Sequence, residues 1–198
     1  MALTSRLHLV GVFVLLVQVA RFGFSSPVGS VRADACPFPN GSETAMHTYE
    51  CADKMQITIS AINVTDVNDK PMYPMDPKQA MILNLISYNH GQPITDNKVD
   101  VGLKQYQRSW TDNTCNWKEI PTLGLLDNID GCDFAHNCPL ASGPLQLKIQ
   151  LDLSKFAAII NMLAAGKPYE LEISMKNYNK GNVNHEEIAC VVAQVHLI

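Results

Sequence analysis

The sequence predicts an all-β protein, a sandwich of two antiparallel sheets. Three observations predict this fold. Short segments in which apolar and polar residues alternate recur along the chain, and turn sequences rich in Asn, Gly and Pro separate them. No run of helices alternates with the strands. Six cysteines follow a removable leader, as in exported domains that disulfides hold together.

We expect residues 1–25 to be a signal peptide. Arg6 precedes an apolar run from Leu7 to Ala20, which is shorter than the roughly 20 residues that span a bilayer. Gly23-Phe24-Ser25 fits the small-x-small pattern of a cleavage site. The alternative, a retained membrane anchor, is disfavoured by the length of the run. Residues 26–48 form an N-terminal extension without an apolar period, and residues 49–198 form the folded domain.

Six segments carry the strand pattern. The clearest is Leu145–Leu153, in which Leu or Ile occupies every second position and polar residues lie between them. Tyr169–Lys176 alternates in the same way. Met81–Ser87 is apolar on both faces of the predicted strand, with Met81, Leu83 and Leu85 on one face and Ile82 and Ile86 on the other. The remaining strands are expected at Met55–Val64, around Val99–Leu103, and at Cys190–Ile198.

One segment, Ser154–Ala165, predicts a short helix instead. Its larger apolar residues fall at helical spacing: Phe156, Ile159, Ile160 and Leu163. Ser154 is a suitable N-cap and Gly166 a suitable terminator. Two interpretations remain open. The helix covers one end of the core, or it forms an apolar lip at the mouth of a cavity and touches membrane or lipid.

Composition and motifs exclude several functions. The net charge is −4, and two of the arginines lie in the leader, so the mature chain is more acidic still and nucleic acid is not an expected partner. The chain has no nucleophile elbow, zinc-protease helix or phosphate-binding loop, and its histidines are scattered. We therefore expect no enzymatic activity, no metal and no cofactor.

Glycosylation signals agree with export. Asn40-Gly41-Ser42 and Asn63-Val64-Thr65 are acceptor sequons, so we expect glycans on Asn40 and Asn63. The leader, the sequons and the even number of cysteines predict a secreted protein or a resident of the lysosomal lumen. The short interval between Cys132 and Cys138 suggests a local bridge, but six cysteines allow 15 pairings and spacing alone does not choose among them.

The segment Gly131–Pro139 resembles the central loop of the ML-domain family of lipid-recognition proteins. Its Gly-Cys…Asn-Cys-Pro form is similar to that of the family's sterol-transfer members. The apolar stretch after the next strand is more like that of the ganglioside-activator members. Ile188–Val191 resembles the family's closing strand with its cysteine, and Cys51 matches the first cysteine. The resemblance extends from about Tyr49 to Ile198.

The resemblance implies a disulfide pairing. In one scheme the bridges are Cys51–Cys190 and Cys132–Cys138, which leaves Cys36 and Cys115 to pair with each other. The ganglioside-activator members suggest a rival scheme, in which Cys138 bonds to Cys115 and Cys36 to Cys132. A cysteine in the N-terminal extension departs from the family pattern, so both schemes stay open.

The resemblance also implies an immunoglobulin-like sandwich with lipid held between its sheets. Alternating apolar residues are then the candidates for the cavity lining: Leu83, Leu85, Val101, Leu103, Leu147, Ile149, Leu151, Tyr169, Leu171, Ile173 and Met175. The candidates for the cavity mouth are Phe134, Phe156, Ile159, Ile160 and Leu163. The same alternation is equally typical of a closed core, and periodicity does not separate the two.

We therefore expect a protein that binds and transfers a sterol, a glycolipid or a phospholipid, with transient membrane contact during transfer. The alternative is a secreted module that senses lipid together with a protein receptor. A third interpretation is a closed structural sandwich that holds no ligand.

Overall fold

The fold is seen in a computed structural model that describes residues 36–151 and 153–198. The predicted signal peptide and the extension up to residue 35 lie outside the described residues. The strands are β1 His47–Glu50, β2 Ile57–Thr65, β3 Met81–Asn89, β4 Asn97–Arg108, β5 Cys115–Glu119, β6 Ile129–Asp130, β7 Gly143–Leu151, β8 Lys167–Asn177 and β9 Glu187–Leu197. Two short helices are α1 Gly131–Ala135 and α2 Ala157–Ile160.

The strands form two antiparallel sheets. The larger sheet has the order β1-β9-β8-β4-β5, with β6 also paired to β4. The smaller sheet has the order β2-β3-β7. Side chains from both sheets meet between them, since Ile57 and Leu145 of the smaller sheet pack with Ile188 of the larger one. The predicted all-β sandwich is thereby confirmed.

All six predicted strands are present, with ends shifted by a few residues. Three further strands, β1, β5 and β6, were not predicted. They have two to five residues each, too few for an alternating pattern to show. Each is fixed by its partner: β1 pairs with β9, and both β5 and β6 pair with β4.

The helical segment is shorter than its sequence pattern predicts. A 3-10 turn at Leu153–Phe156 leads into α2, which ends at Ile160. The N-cap position of α2 is Phe156 rather than the predicted Ser154. Gly166, predicted as the terminator, lies beyond the helix at a φ of +69° and precedes β8 directly. The apolar spacing reflects burial against the sandwich more than helix length.

Part of the predicted N-terminal extension is built into the larger sheet. Cys36 is bonded to Cys115, and β1 begins at His47. The Asn40 side-chain amide donates to Gln194 Oε1 at 2.7 Å, and Gln194 donates to Glu170 Oε2 at 2.8 Å. Residues 36–50 therefore extend along the larger sheet and are tied to it by a disulfide, a strand and side-chain hydrogen bonds.

The buried apolar residues form two clusters. The first core contains Ile57, Ile94, Leu140, Leu145, Ile188 and Ala189, where β2, β7 and β9 begin. The second core contains Leu103, Ile159, Tyr169, Ala193, Val195 and Leu197, where β8 begins and β9 ends. Because the strands are antiparallel, these positions lie toward opposite ends of the sandwich.

Candidate functional site

The inward face of the smaller sheet is only partly buried between the two cores. On the central strand β3, Met81 and Asn89 at the ends are fully buried. Leu83 and Leu85 lie between them on the same face of the strand and are only half-buried. In a filled sandwich the middle of a central strand is its most buried part, because the other sheet covers it. The pattern here is reversed.

The larger sheet shows the same reversal. Val101 of β4 and Ile173 of β8 are paired in register on the face that carries Leu103, and both are half-buried. Nine of the eleven predicted lining residues are half-buried in this way: Leu83, Leu85, Val101, Leu147, Ile149, Leu151, Leu171, Ile173 and Met175. The structure thus places partly exposed apolar residues of both sheets between the cores, and among them Leu147 and Met175 pack against the first core and Leu171 against the second.

Leu103 and Tyr169, the other two predicted lining residues, belong to the second core and are buried. The Tyr169 hydroxyl accepts a hydrogen bond from the Ala164 backbone N–H at 2.7 Å and donates to the Ala164 carbonyl at 3.1 Å. Burial raises the pKa of Tyr169. Tyr169 therefore holds the segment before β8 through its hydrogen bonds to Ala164. It does not belong to the half-buried apolar residues between the cores.

The predicted mouth residues fall into two groups. The rings of Phe134 on α1 and Phe156 in the 3-10 turn have centroids 6.1 Å apart, so the structure brings these distant residues together. Ile159 and Ile160 are buried, although Ile160 also contributes to the lining of a surface cleft, and Leu163 packs against the second core. The helical segment therefore presents its isoleucines inward, as the interpretation that it covers the core predicts.

Two exposed apolar residues near the second core were not predicted from the sequence. Met162 follows α2 and is 58% exposed. Leu123, in the loop between β5 and β6, is 89% exposed. Ile120 and Leu126 flank that loop and pack against the second core, as Leu163 does. Both loops thus pack against the second core through neighbouring residues, while Met162 and Leu123 face solvent. Helical spacing alone gives no signal for which residue of a segment is turned outward.

A surface cleft of about 370 Å³ lies beside the same segment. Its lining combines the loop before β3, the end of β7 and the helical segment: Pro77, Lys78, Gln79, Ala80, Gln150, Leu151, Leu153, Ser154, Ala157, Ile160 and Asn161. Leu151 is shared between the cleft and the half-buried row on β7. The row therefore reaches the surface at this end of the smaller sheet.

The segment that resembles the ML-domain loop is fixed to the start of β4. The Asp130 carboxylate accepts from the Asp133 backbone N–H at 3.0 Å and caps α1, while Lys98 holds the pKa of Asp130 below its usual range. Gly131 packs so closely that a Cβ there would lie 1.9 Å from Asn97 Oδ1. Only glycine fits this position, at the start of the helix that carries Phe134.

The disulfides follow the first of the two pairing schemes. Cys36 is bonded to Cys115, Cys51 to Cys190, and Cys132 to Cys138. The one group of metal-ligating side chains within the described ranges is Cys51, Glu172 and Cys190. Both of its sulfur atoms are already in a disulfide bond, so this group lacks the thiolates that a metal site requires.

The described residues have three further properties. Among the helices of the described residues, none combines the length and apolar character needed to span a membrane. Asn40 and Asn63 of the two sequons are both exposed. Three disulfides are typical of a chain that matures in an oxidising compartment.

Comparison with known proteins adds little to this description. No protein-family model matches the chain, and no curated protein matches it. Among solved structures, the chain is similar to the crystal structure of the C-terminal domain of wzt, at 9% sequence identity and a TM-score of 0.36. The similarity covers 77% of this chain and 78% of that one.

Proposed function

We propose that this protein binds a lipid between its two sheets and transfers it without covalent chemistry. The observation that carries the proposal is the half-buried state of the facing apolar rows between two closed cores. Leu85 and Ile173, on the central strands of the two sheets, are half-buried where a filled sandwich would bury them. The resemblance of Gly131–Pro139 to the ML-domain loop supports the same function.

Burial of apolar area supplies the driving force for extraction. Each CH₂ group moved from water to an apolar environment contributes about 0.8 kcal/mol. A 16-carbon chain therefore contributes on the order of 10 kcal/mol before ordering costs are subtracted. The lipid also removes from water the remaining exposed area of the rows. No catalytic group takes part in such a process.

The test is to express the secreted chain, purify it without detergent, extract it with organic solvent and analyse the extract by mass spectrometry. We expect a lipid near one molecule per protein. A clean extract, together with failure to take up fluorescent sterol and glycolipid probes, would show a closed sandwich and reject the proposal.

Transfer requires contact with a membrane, and Met162 and Leu123 are the residues proposed to make it. Both are exposed apolar side chains on loops that the second core anchors. Met162→Asp and Leu123→Asp should slow transfer between phosphatidylcholine vesicles while leaving affinity for a lipid offered in solution unchanged. Val183 is equally apolar and 83% exposed in the turn between β8 and β9, so Val183→Asp is the matched control. Equal slowing by all three variants would argue against a defined docking surface.

A second candidate, lipid sensing with a protein receptor, is favoured by one observation. Trp110 is 96% exposed at the tip of the β4–β5 hairpin. The turn is ordered, because Arg108 donates to the Asn113 carbonyl at 2.8 Å and Asp112 accepts from the Thr114 hydroxyl at 2.8 Å. Tryptophan is among the residue types enriched in binding hot spots. Trp110→Ala should then abolish a receptor complex and leave lipid binding intact.

A secreted or lysosomal location, with glycans on Asn40 and Asn63, belongs to the same proposal. It is supported by the leader sequence, the exposed sequons and the three disulfides.

A further inference from the structure

We propose that the protein forms a two-fold symmetric dimer in solution, in which the edge strand β7 pairs antiparallel with β7 of a second copy. The smaller sheets of the two copies then form one continuous sheet. This inference does not depend on lipid binding, because it rests on the backbone of β7 and on the polar side chains that β7 turns outward.

The edges of the two sheets differ in how they are protected. In the larger sheet the edge strands are β1 on one side and β5 with β6 on the other, and each has five residues or fewer. In the smaller sheet β2 is long, but its register with β3 shifts between Ile59 and Ala61. The Ile59 N–H also donates to Glu50 Oε1 at 2.8 Å, and the Val64 carbonyl accepts from the Met72 N–H at 3.0 Å. Short edge strands, bulges and covered edge groups are the usual means by which proteins prevent edge-to-edge pairing.

The remaining edge strand, β7, lacks these protections in the part of the chain that the structure describes. It has nine residues, and its register with β3 is unbroken from Gly143 to Leu151. None of the backbone hydrogen bonds that turns and loops make among the described residues involves Gln146, Lys148 or Gln150. A long, regular edge strand without a covering segment is a place where another strand pairs.

The backbone groups at alternate positions of β7 point to this free edge. Val64 directs its carbonyl away from β3, so Leu83, opposite it on β3, directs its own N–H and C=O to β7. Leu83 is opposite Ile149, which therefore bonds to β3. Because backbone groups alternate between the two edges of a strand, the neighbours of Ile149 present theirs to the free edge. The residues that do so by this alternation are Gln146, Lys148 and Gln150.

The lysine in the middle of β7 does not protect the edge. A lysine on an edge strand ordinarily hinders an incoming strand with its charge. Here Lys148 Nζ lies 2.9 Å from Asp69 Oδ1. Asp69 belongs to the loop after β2, so the Lys148 side chain is directed across β3 and away from the free edge, and its charge is paired.

The sequence of β7 selects the register of the pairing. Residues directly opposite each other in an antiparallel pair lie on the same face, so polar residues must meet polar ones. A two-fold axis at Lys148 would place two lysines opposite each other. An axis at Leu147 instead places Gln146 opposite Lys148 of the second copy, and these two exchange both of their backbone hydrogen bonds. Pro144, which has no N–H, then faces Gln150 at the end of the pairing and accepts from its N–H.

A second copy fits this edge better than a foreign peptide does. In the dimer both free edges are used, and the joined sheet ends at β2 of each copy, where the bulge and Glu50 already protect it. A bound peptide would present a new free edge of its own. On the inner face, the partly exposed Leu147 meets its counterpart across the axis and Ile149 meets Leu145, so the pairing also removes apolar area from water.

The first measurement is sedimentation velocity of the whole secreted chain over a concentration range of about a thousandfold, with amide hydrogen exchange followed residue by residue by NMR. We expect a monomer at low concentration and a dimer at high concentration. The amides of Gln146 and Lys148 should exchange at least about tenfold more slowly in the dimer, whereas those of Leu147 and Ile149 should be protected in both states. A monomer at every concentration would overturn the proposal, and so would a dimer in which the Gln146 and Lys148 amides exchange as they do in the monomer.

Charge variants test the register. Gln146→Glu places a carboxylate opposite Lys148 at both symmetric sites and should tighten the dimer by about 2- to 30-fold, whereas Gln146→Lys should weaken it by a similar factor. Because the chain has a net charge of −4, a general charge effect acts in the opposite direction. Gln107, an exposed glutamine on β4 of the larger sheet, is the matched control, and Gln107→Glu and Gln107→Lys should not reproduce these effects. Equal effects of the same substitution at the two positions would reject β7 as the interface.

Discussion

Two leucines of the smaller sheet offer a direct measure of whether the space between the sheets is open. Leu145 lies in the first core and is 7% exposed, whereas Leu85 lies on the neighbouring strand and is half-buried. Both face inward, and each is replaced by alanine. Leu145→Ala removes fully packed atoms and leaves a new cavity, so it should cost about 3 kcal/mol, within the usual range of about 2–5 kcal/mol.

Leu85→Ala should cost less. The substitution removes three carbon groups, worth about 2.4 kcal/mol if all were fully buried. Because Leu85 is mostly but not fully buried, the expected cost is about 2 kcal/mol, with no further cost for a cavity where space already exists. The free energies of unfolding of the two variants should therefore differ by about 1 kcal/mol.

The assay is urea unfolding of the delipidated, ligand-free protein with its disulfides intact. With a denaturant slope of about 2 kcal/mol/M, the two midpoints should lie about 0.5 M apart. Equal midpoints for Leu85→Ala and Leu145→Ala would mean that Leu85 is packed as tightly as a core residue. That result would refute the reasoning from half-burial and, with it, the main support for a lipid site between the sheets.

Three other predictions concern the frame of the domain. Replacing both Cys51 and Cys190 by alanine opens a loop of 139 residues and should lower the free energy of unfolding by about 5 kcal/mol in the chain-entropy model, which chemical denaturation measures. A backbone N–H and the Lys176 ammonium lower the pKa of Asp100 below the unfolded value of about 3.9, so its contribution is present above about pH 4 and is lost as pH falls through the lower native pKa. Asp100→Asn should then flatten the acid limb of a melting-temperature profile, and an unchanged limb would exclude this carboxylate as a contributor. Asn63→Gln should lower the mass of the secreted protein by one glycan, and an unchanged mass would show that this sequon is unoccupied.

The strands could be predicted because their signal is local. Leu145–Leu153 alternates strictly, and the structure has a strand there with Leu145 buried and Gln146 exposed. The pattern contained no information about β1 or β5, because both are short and each exists through pairing with a longer strand. The length of the predicted helix at Ser154–Ala165 was wrong for a related reason. The apolar spacing indicates which residues are buried but not how many turns are helical.

From the sequence, the candidate site could be predicted only as a set of apolar strand faces. Alternation placed Leu83 and Leu85 on one face of β3, and both lie on that strand in the structure. Whether that face meets a filled core or an open space depends on the distance between the sheets, which no single strand encodes. The exposure of Met162 likewise depends on which side chains arrive from elsewhere in the chain.

Stability and the proposed lipid binding depend on different residues in this architecture. The two cores occupy opposite ends of the sandwich, and the Cys51–Cys190 bridge joins the segment before β2 to β9 close to Ile188 of the first core. Tyr169 secures the other end through its hydrogen bonds to Ala164. Because the ends hold the fold, the middle rows need not pack tightly against each other. Substitutions in the rows should consequently alter lipid affinity more than folding, and substitutions in the cores should do the opposite.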